Sequence, residues 1–440
     1  MTDVTRWADS DAALLTAQDK GLPDRAVGMT TAAFLAGRPR LSEFWTPLVV
    51  LDDEAMRSNV QIMAKWCRER GLEIMPHGKT TMAPTLWRRQ LAAGALGITL
   101  ATMGQARTAR SLGLDSIMLA NAAVDEGALR YLAAELADPE FRFVCWADSL
   151  ATVEAMERGL RRSRPPRPVD VCVELGAACG RTGARTVAEG VVVAERIAAS
   201  DVLRLAGVAG YEGCLGHDRS PTALAAVQGY LASLIELHRG VAHLYDEGDV
   251  YVTAGGSAYF DLVAEAFAAA GAGREHTRFT LRSGAYIVHD DGFYRQISPF
   301  DEGVAGPDAP RFRVAMRGLA RVVSHPEPGL ALLDGGKRDF PYDEGLPIPR
   351  LCAADLAGPW RPLRGAEVSA LNDQHCYLRV ADTADTADTA ALPDTAALPV
   401  GSVVALGLSH PCTTFDKWRV LPVVESATSD VVVDLVRTYF

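Results

Sequence analysis

The feature that most constrains the fold is a long alternation of short β-rich runs with amphipathic segments, from about residue 51 to residue 282. Strands that alternate with helices in this way predict βαβ units and a parallel sheet. One helix is marked by an apolar stripe at spacings of four, three and four residues: Met56, Val60, Met63 and Cys67. The predicted strands are Leu48–Leu51, Leu72–Met75, Gly97–Leu100, Ser116–Leu119, Phe141–Cys145, Val169–Glu174, Leu205–Ala209, Val250–Thr253 and Phe279–Arg282.

This set holds one strand more than a closed barrel of eight requires. Leaving out Leu48–Leu51 gives eight strands that begin at Leu72 and end at Arg282. We therefore predict an α/β fold class with a TIM-like (β/α)8 barrel over residues 51–289. The strand at Leu48–Leu51 is expected to belong to another part of the molecule.

The pattern changes after Tyr286 to repeated strand, turn and strand runs, such as GSVVALGLSHP and KWRVLPVVE. These runs predict a mostly antiparallel β domain over residues 290–440, with residues 1–50 packed on it. Within this domain, a TAD repeat at Thr383–Leu398 has no period that would form a core. We expect it to be an exposed loop that can be shortened with little loss of activity.

The composition excludes several classes of partner. The chain has 440 residues, is 48% hydrophobic and carries a net charge of −11, which argues against binding to nucleic acid or to anionic membranes. No apolar run approaches the length needed to span a bilayer. The start, MTDVTRWADSD, lacks the features of a secretory signal, and the eight cysteines include no CxxC pair. Reduced thiols and a cytoplasmic location are therefore expected.

Lys79 follows directly on the first barrel strand, in the stretch MPHGKT. Active groups of such barrels cluster at the C-terminal ends of the strands. Partial desolvation there lowers the pKa of a lysine and makes its amine a nucleophile for a carbonyl compound. An ordinary solvated loop lysine fits the position as well. We predict that His77, two residues before Lys79, belongs to the catalytic residues and shapes the pocket.

Two glycine-containing turns suggest a phosphate site, because barrels often bind phosphate in the loops after strands seven and eight. Glycine lets backbone N–H groups approach an anion, and a helix N-terminus favours negative charge. Together with a lysine after strand one, the turns indicate pyridoxal 5′-phosphate (PLP) as cofactor. The predicted cofactor-binding residues of the two turns are Gly255, Gly256 and Ser257, and Ser283, Gly284, Ala285 and Tyr286.

Two further residues follow barrel strands and are candidates for the same site. Arg181, after the fifth strand, can reach the cofactor's ring hydroxyl or a substrate carboxylate, or can face solvent. Tyr211, after the sixth, can contact the cofactor's ring or phosphate, or can serve in packing.

A possible metal pair lies in the β domain, where His410 and Cys412 are two residues apart. On an extended strand, residues two apart face the same side. Imidazole and thiolate suit Zn²⁺, and Mn²⁺ is the alternative; two protein ligands leave room for water or substrate. A buried cysteine beside a structural histidine is the alternative interpretation. Gln374 and His375 are candidate neighbours of the metal.

The motifs MPHGKT, GRTG, TAGGS, RSGAYIVHD, DQH and SHPC occur in the order found in D-serine dehydratases and D-threonine aldolases. The chain resembles this family of fold-type III PLP enzymes, whose N-terminal domain is like that of alanine racemase, from about Thr46 onward. The resemblance implies PLP on Lys79 and a divalent metal on His410 and Cys412. Family aldolases typically have His-x-Asp at the metal pair, so Cys412 is more similar to the zinc-dependent D-serine dehydratases.

The resemblance implies a PLP-dependent lyase that eliminates water from a small D-3-hydroxy amino acid and yields a 2-oxo acid and ammonia. Retro-aldol cleavage to glycine and an aldehyde, as in D-threonine aldolase, is the nearest alternative. A non-catalytic PLP-binding protein is an alternative of another class, against which the additional β domain argues. The family resemblance also implies a homodimer.

Overall fold

The computed structural model describes residues 13–178, 180–271, 276–301, 303–307, 309–380 and 398–440. The TAD repeat predicted as a dispensable loop lies outside the described residues, apart from Leu398.

The helices are α1 (Thr31–Ala36), α2 (Asp53–Glu69), α3 (Pro84–Ala92), α4 (Met103–Ser111), α5 (Glu126–Glu135), α6 (Leu150–Ser163), α7 (Val187–Ala198), α8 (Pro221–Gly240), α9 (Phe260–Ala270), α10 (Phe293–Ile297) and α11 (Pro411–Phe415). The strands are β1 (Leu48–Asp52), β2 (Glu73–Ile74), β3 (Ile98–Leu100), β4 (Ser116–Leu119), β5 (Arg142–Ala147), β6 (Val169–Leu175), β7 (Leu203–Gly210), β8 (Val250–Ala254), β9 (Thr277–Leu281), β10 (Met316–Glu327), β11 (Leu330–Leu333), β12 (Ile348–Ala353), β13 (Arg361–Pro362), β14 (Ala366–Leu371), β15 (Cys376–Val380), β16 (Val403–Gly407), β17 (Val420–Val424) and β18 (Val432–Arg437).

The first sheet is the predicted barrel. Its eight parallel strands follow the order β2-β9-β8-β7-β6-β5-β4-β3, and a parallel bridge between His77 and Thr99 joins the two end strands. Side chains point alternately inward and outward along each strand. The inward set forms a separate apolar cluster that fills the barrel: Met75, Met118, Val144, Trp146, Cys172, Ala206, Ala209 and Tyr251. A filled interior leaves the mouth as the place for a site.

The helices cover the outside of the barrel, as α2 illustrates. Asp52 caps this helix by accepting a hydrogen bond from the backbone N–H of Ala55 at 2.9 Å. The predicted apolar stripe is confirmed, because its four side chains are all buried against the barrel. None of the helices in the described ranges combines the length and the apolar character needed to cross a membrane.

Within the described residues, the second sheet has ten strands, and all of its pairings are antiparallel except one. Strand β1 lies inside it, antiparallel to β10 and parallel to β17, which is why it is not a barrel strand. The predicted fold class, a barrel with a mostly antiparallel C-terminal domain, is confirmed. The boundaries 51–289 and 290–440 stay predictions.

The two sheets meet at the barrel mouth. Helix α11 packs against the short turn Gly78–Thr80, which follows β2. The backbone N–H of Asp291 donates to the carbonyl of Leu408 at 2.9 Å, which fixes the chain just before α11. The end of β16 is therefore held over the C-terminal ends of the barrel strands.

Candidate functional site

A cavity of about 310 Å³ opens at this junction between the barrel mouth and the second sheet. Ten of the predicted site residues line it: His77, Lys79, Arg181, Tyr211, Gly256, Ser257, Gly284, Ala285, His410 and Cys412. Residues from both sheets thus form one cavity, although more than 300 positions separate the first and the last of them.

The turn Gly78–Thr80 presents Lys79 to the cavity. Gly78 is required there, because a Cβ atom at this position would lie 2.4 Å from Ile98 and 2.7 Å from Trp87. Gly78 and Thr80 are buried, and Lys79 between them is half-buried. Among the described residues, the Lys79 ammonium has no hydrogen-bond or ion-pair partner. Its amine is therefore available to a ligand.

His77 is a neutral group in this setting. Burial lowers its pKa well below the usual value, and the charges of Lys79, Arg282 and Arg181 lower it further. Its Nδ1 atom is buried and has no hydrogen-bond partner in the part of the chain that the structure describes. His77 thus offers one unpaired imidazole nitrogen at the wall of the cavity.

The first glycine turn differs from its predicted role. The backbone N–H groups of Gly255 and Gly256 donate to the two carboxylate oxygens of Glu212, at 3.0 and 2.7 Å. Glu212 is fully buried, so it occupies both donors that the sequence assigned to a phosphate. The backbone of Gly255 has a φ of +99°, which explains the glycine there. Both amides therefore already have a carboxylate partner within the chain, where the sequence predicts a phosphate.

The two turns are joined by side chains. The hydroxyl of Ser283 donates to the carbonyl of Gly256 at 2.8 Å, and the N–H of Ala285 donates to the hydroxyl of Ser257 at 3.2 Å. Gly255 and Ser283 support the cavity without lining it.

Tyr286 was also predicted to bind the cofactor, and it too stays outside the cavity wall. Its ring packs against Phe312, with the centroids 5.9 Å apart. Tyr286 is therefore a buried core residue on the short helix Ala285–Ile287.

Gly284 supports the lysine turn, which gives a testable prediction. A Cβ atom at position 284 would lie 2.4 Å from the carbonyl oxygen of His77. Gly284→Ala should displace this backbone and weaken PLP binding by about 5- to 150-fold, since overpacking of this kind costs about 1–3 kcal/mol and each 1.36 kcal/mol is tenfold. The measurement is a PLP titration followed by absorbance. Gly229→Ala, in open space on α8, is the control and should bind PLP normally. Equal affinity of both variants would contradict the prediction.

Arg181 and Tyr211 lie together at the rim. The Arg181 guanidinium carbon is 4.6 Å from the centroid of the Tyr211 ring, a cation–π contact. Burial, followed by the charge of Glu212, raises the pKa of Tyr211 to about 12, so its hydroxyl stays protonated. Arg181 is exposed and its guanidinium remains open to an anionic group.

Arg282 and Trp146 line the cavity but were not predicted as site residues. Arg282 is 1% exposed, donates to the hydroxyl of Thr253 at 2.6 Å and to the carbonyl of Gly210, and stacks on Trp146 at 4.7 Å. Its Nε and the Nε1 of Trp146 are buried without a partner in the described chain. An arginine at the C-terminal end of a barrel strand was the signal that could have identified it.

Glu174 and Thr182 form another unpredicted part of the wall. The Thr182 hydroxyl donates to Glu174 at 3.0 Å. Burial raises the pKa of Glu174, so this carboxyl holds a proton more readily than a solvated one.

His410 and Cys412 share the cavity wall, but not on a strand as predicted. Pro411 occupies the first position of α11, where proline is favoured, so the chain turns into a helix between them. The two side chains still line one cavity, because the backbone of His410 is extended and Cys412 lies in the first turn of α11. Burial acts to lower the pKa of His410, but Cys412 and Asp343 outweigh it and raise the pKa to about 9.

The thiol of Cys412 is activated by its neighbours. Burial acts to raise its pKa, but the hydrogen bonds with His410 and Thr80 and the charge of Lys79 bring it below the usual value. Its Sγ lies 3.4 Å from the hydroxyl oxygen of Thr80. Imidazole and thiolate together are a donor set for a soft divalent metal.

No group of three or more His, Cys, Asp or Glu side chains in the described ranges is arranged to hold a metal. Gln374 and His375 were predicted as neighbours of the pair, but neither lines the cavity, and Gln374 donates to Asp339 at 3.2 Å. A metal on the pair would need further ligands from water or substrate, which is the arrangement of a catalytic metal.

Two family models match the chain. The model described as "Alanine racemase, N-terminal domain" covers residues 51–270, and that described as "Putative serine dehydratase domain" covers residues 315–424. The first accounts for half of the chain and for most of the barrel.

Curated relatives cover most of the chain. A D-threonine aldolase of Arthrobacter sp. is 27% identical over 377 residues, which are 84% of this chain and 86% of that protein. The D-threo-3-hydroxyaspartate dehydratase of Delftia sp. (strain HT23) is 25% identical over 357 residues, 78% of this chain and 85% of that protein.

Solved structures show the shared fold. The D-threonine aldolase from Filomicrobium marinum superposes with a TM-score of 0.74 at 23% identity, over 91% of this chain and 97% of that one. D-threo-3-hydroxyaspartate dehydratase has been solved as two alanine variants, one of a histidine and one of a cysteine two positions later. The cysteine variant is in a metal-free form.

Proposed function

We propose that this chain, which belongs to the alanine racemase N-terminal domain family of PLP-dependent enzymes, is a lyase that eliminates water from a D-3-hydroxy amino acid such as D-serine. The products are a 2-oxo acid and ammonia. One observation carries the proposal: an open lysine and an imidazole–thiol pair share one cavity. The Sγ of Cys412 lies 3.4 Å from Thr80, the residue next to Lys79.

The cavity suits PLP, which members of this family use. Three buried nitrogen atoms at its wall have no partner in the described chain, on His77, Trp146 and Arg282. Most buried polar atoms are hydrogen-bonded, so a polar ligand in the cavity would supply the partners that these three nitrogen atoms lack. Lys79 would hold the cofactor covalently, and Ser257, Gly284 and Ala285 would face its phosphate. PLP, when bound, supplies an electron sink for the charge left on a substrate carbon that loses a proton.

The residues of this chain would then move the proton. Lys79 is the base that takes the proton from the substrate's Cα atom, because its amine is open to the cavity. His77 stays uncharged beside it, which keeps one more positive charge away from the amine. Arg181, exposed at the rim, would bind the substrate carboxylate. General acid–base catalysis of this kind contributes roughly 10²–10⁴-fold to a rate.

His410 and Cys412 would hold the metal. A divalent metal there would polarise the substrate's β-hydroxyl as a Lewis acid and make it a better leaving group. Thiolate and imidazole favour Zn²⁺, with Mn²⁺ as the alternative. The histidine and cysteine replaced in D-threo-3-hydroxyaspartate dehydratase have the same spacing, and the metal-free form of the cysteine variant supports this assignment.

An aldolase is the second candidate, because a relative that covers 84% of the chain bears that name. Product analysis with D-serine, D-threonine and D-3-hydroxyaspartate separates the two. We expect ammonia and a 2-oxo acid, with the L-isomers inert. Glycine and an aldehyde as the main products would favour the aldolase. A protein that retains PLP but converts none of these substrates would support a non-catalytic PLP-binding role.

The remaining parts of the proposal concern assembly. We propose that the protein works as a homodimer in the cytoplasm, on a small D-amino acid and without nucleic acid or membrane partners. The net charge of −11 and the resemblance to the family support these statements.

A further inference from the structure

We propose that Asp343 is a positioning residue of the metal site, which fixes His410 in the tautomer that binds a metal and holds the helix that carries Cys412. This inference rests on the function proposed above. It assigns a role to a residue in the segment between β11 and β12, which has no catalytic motif of its own.

The two oxygens of Asp343 have separate partners. Its Oδ2 lies 2.6 Å from Nδ1 of His410, and its Oδ1 accepts a hydrogen bond from the hydroxyl of Thr413 at 2.7 Å. His410 precedes α11, and Thr413 belongs to its first turn. One carboxylate therefore holds both sides of Cys412, which lies between these residues in the chain.

The contact with Nδ1 determines which imidazole nitrogen remains for a metal. An ionised carboxylate only accepts hydrogen bonds, so the Nδ1 atom of His410 must carry the hydrogen. In the neutral imidazole, the lone pair then lies on Nε2. Histidine ligands of metals commonly donate their other N–H to a carboxylate, which sets the tautomer and increases the basicity of the ligand.

The thiol and the backbone of His410 have further contacts of their own. The hydroxyl of Thr80 contacts the Sγ of Cys412, while the hydroxyl of Thr414 donates to the carbonyl of His410 at 2.8 Å. Asp343 thus completes a set of contacts that leave His410 and Cys412 little freedom. A site whose ligands are already oriented binds a metal more tightly than one that must order them.

The test is the affinity of the PLP-loaded protein for Zn²⁺, measured by competition with a chromophoric chelator. Asp343→Ala should weaken Zn²⁺ binding by about 10–100-fold, the effect typical of losing such a carboxylate. Asp343→Asn should recover part of the loss, since its amide oxygen still accepts from Nδ1. Thr413→Val removes the second contact, together with a 3.4 Å hydrogen bond from Thr413 to the carbonyl of His410, and should have the smaller effect. Asp373→Ala is the surface control, because its carboxylate pairs with exposed Arg338 at 3.5 Å.

The outcomes separate this inference from the proposed function. Wild-type protein that binds neither Zn²⁺ nor Mn²⁺ would refute the metal role itself. Tight Zn²⁺ binding by both wild type and Asp343→Ala would overturn only the positioning role. Loss of PLP affinity to the same extent as Zn²⁺ affinity would also overturn it, because that result indicates general unfolding of the cavity. With Co²⁺ as probe, the thiolate absorption should persist in Asp343→Ala but require more metal.

Discussion

We expect Lys79→Ala protein to release ammonia about 10²–10⁴-fold more slowly than wild type, which is the range for removing a positioned proton-transfer group. It should also lose the covalent attachment of PLP, so the cofactor should pass through a desalting column. The physical reason is the position of Lys79: its amine is open to the cavity and no other lysine lines it in the described part of the chain.

Borohydride treatment of the wild-type holoprotein gives an independent measurement. The reduced pyridoxyl group should be found by mass spectrometry on the peptide that contains Lys79. Lys65→Ala is the matched control, since Lys65 lies on the exposed face of α2 and pairs with Glu69 at 3.7 Å. Its activity and labelling should equal those of wild type. A label on any lysine other than Lys79 would show that the assignment is wrong.

Cys412→Ala protein should release ammonia at least about 10²-fold more slowly, because a Lewis acid at the leaving hydroxyl contributes several kcal/mol and each 1.36 kcal/mol is tenfold in rate. PLP content and absorbance should stay close to those of wild type, since the thiol contacts the lysine turn at the hydroxyl of Thr80 and not at Lys79. Chelation of the metal from wild-type protein should likewise slow ammonia release and leave the PLP content unchanged. Added Zn²⁺ should restore the activity of chelated wild-type protein but not that of Cys412→Ala.

Cys214→Ala provides the control for this experiment. Cys214 is an exposed thiol that does not line the cavity, so its variant should keep both activity and metal. Full ammonia release by a demonstrably metal-free protein would contradict the metal role, and His410 and Cys412 would then be structural residues of the cavity wall.

The sequence predicted the barrel well because its signals are local. Strand β4 agrees to the residue, and the other barrel strands agree within two residues at each end. Active groups of such barrels follow the C-terminal ends of the strands, and this rule predicted that Lys79, Arg181 and Tyr211 lie at the same barrel mouth. Apolar periodicity and strand ends are properties of short stretches, so one sequence is enough to read them.

The missed features depend on residues that are far apart in the chain. Glu212 meets Gly255 across 43 positions, and Asp343 meets His410 across 67. No local sequence pattern predicts such partners. The sequence of a glycine turn is the same whether its amides face a phosphate or a carboxylate. The error at α11 has a different cause: Pro411 is a local signal for a helix start, whereas the two-residue spacing of His410 and Cys412 favours a strand.

Strand β1 links the beginning of the chain to its end. It lies between β10 and β17, with Leu51 opposite Met316 on one side and Val423 on the other. All eight barrel strands are synthesised before β17. Domains generally fold as units during synthesis, with the N-terminal one first. The lysine turn therefore forms on the early part of the nascent chain, whereas the second sheet closes only after residue 424 has been made. Synthesis thus allows His410 and Cys412 to be fixed over the barrel only after the barrel strands have been made.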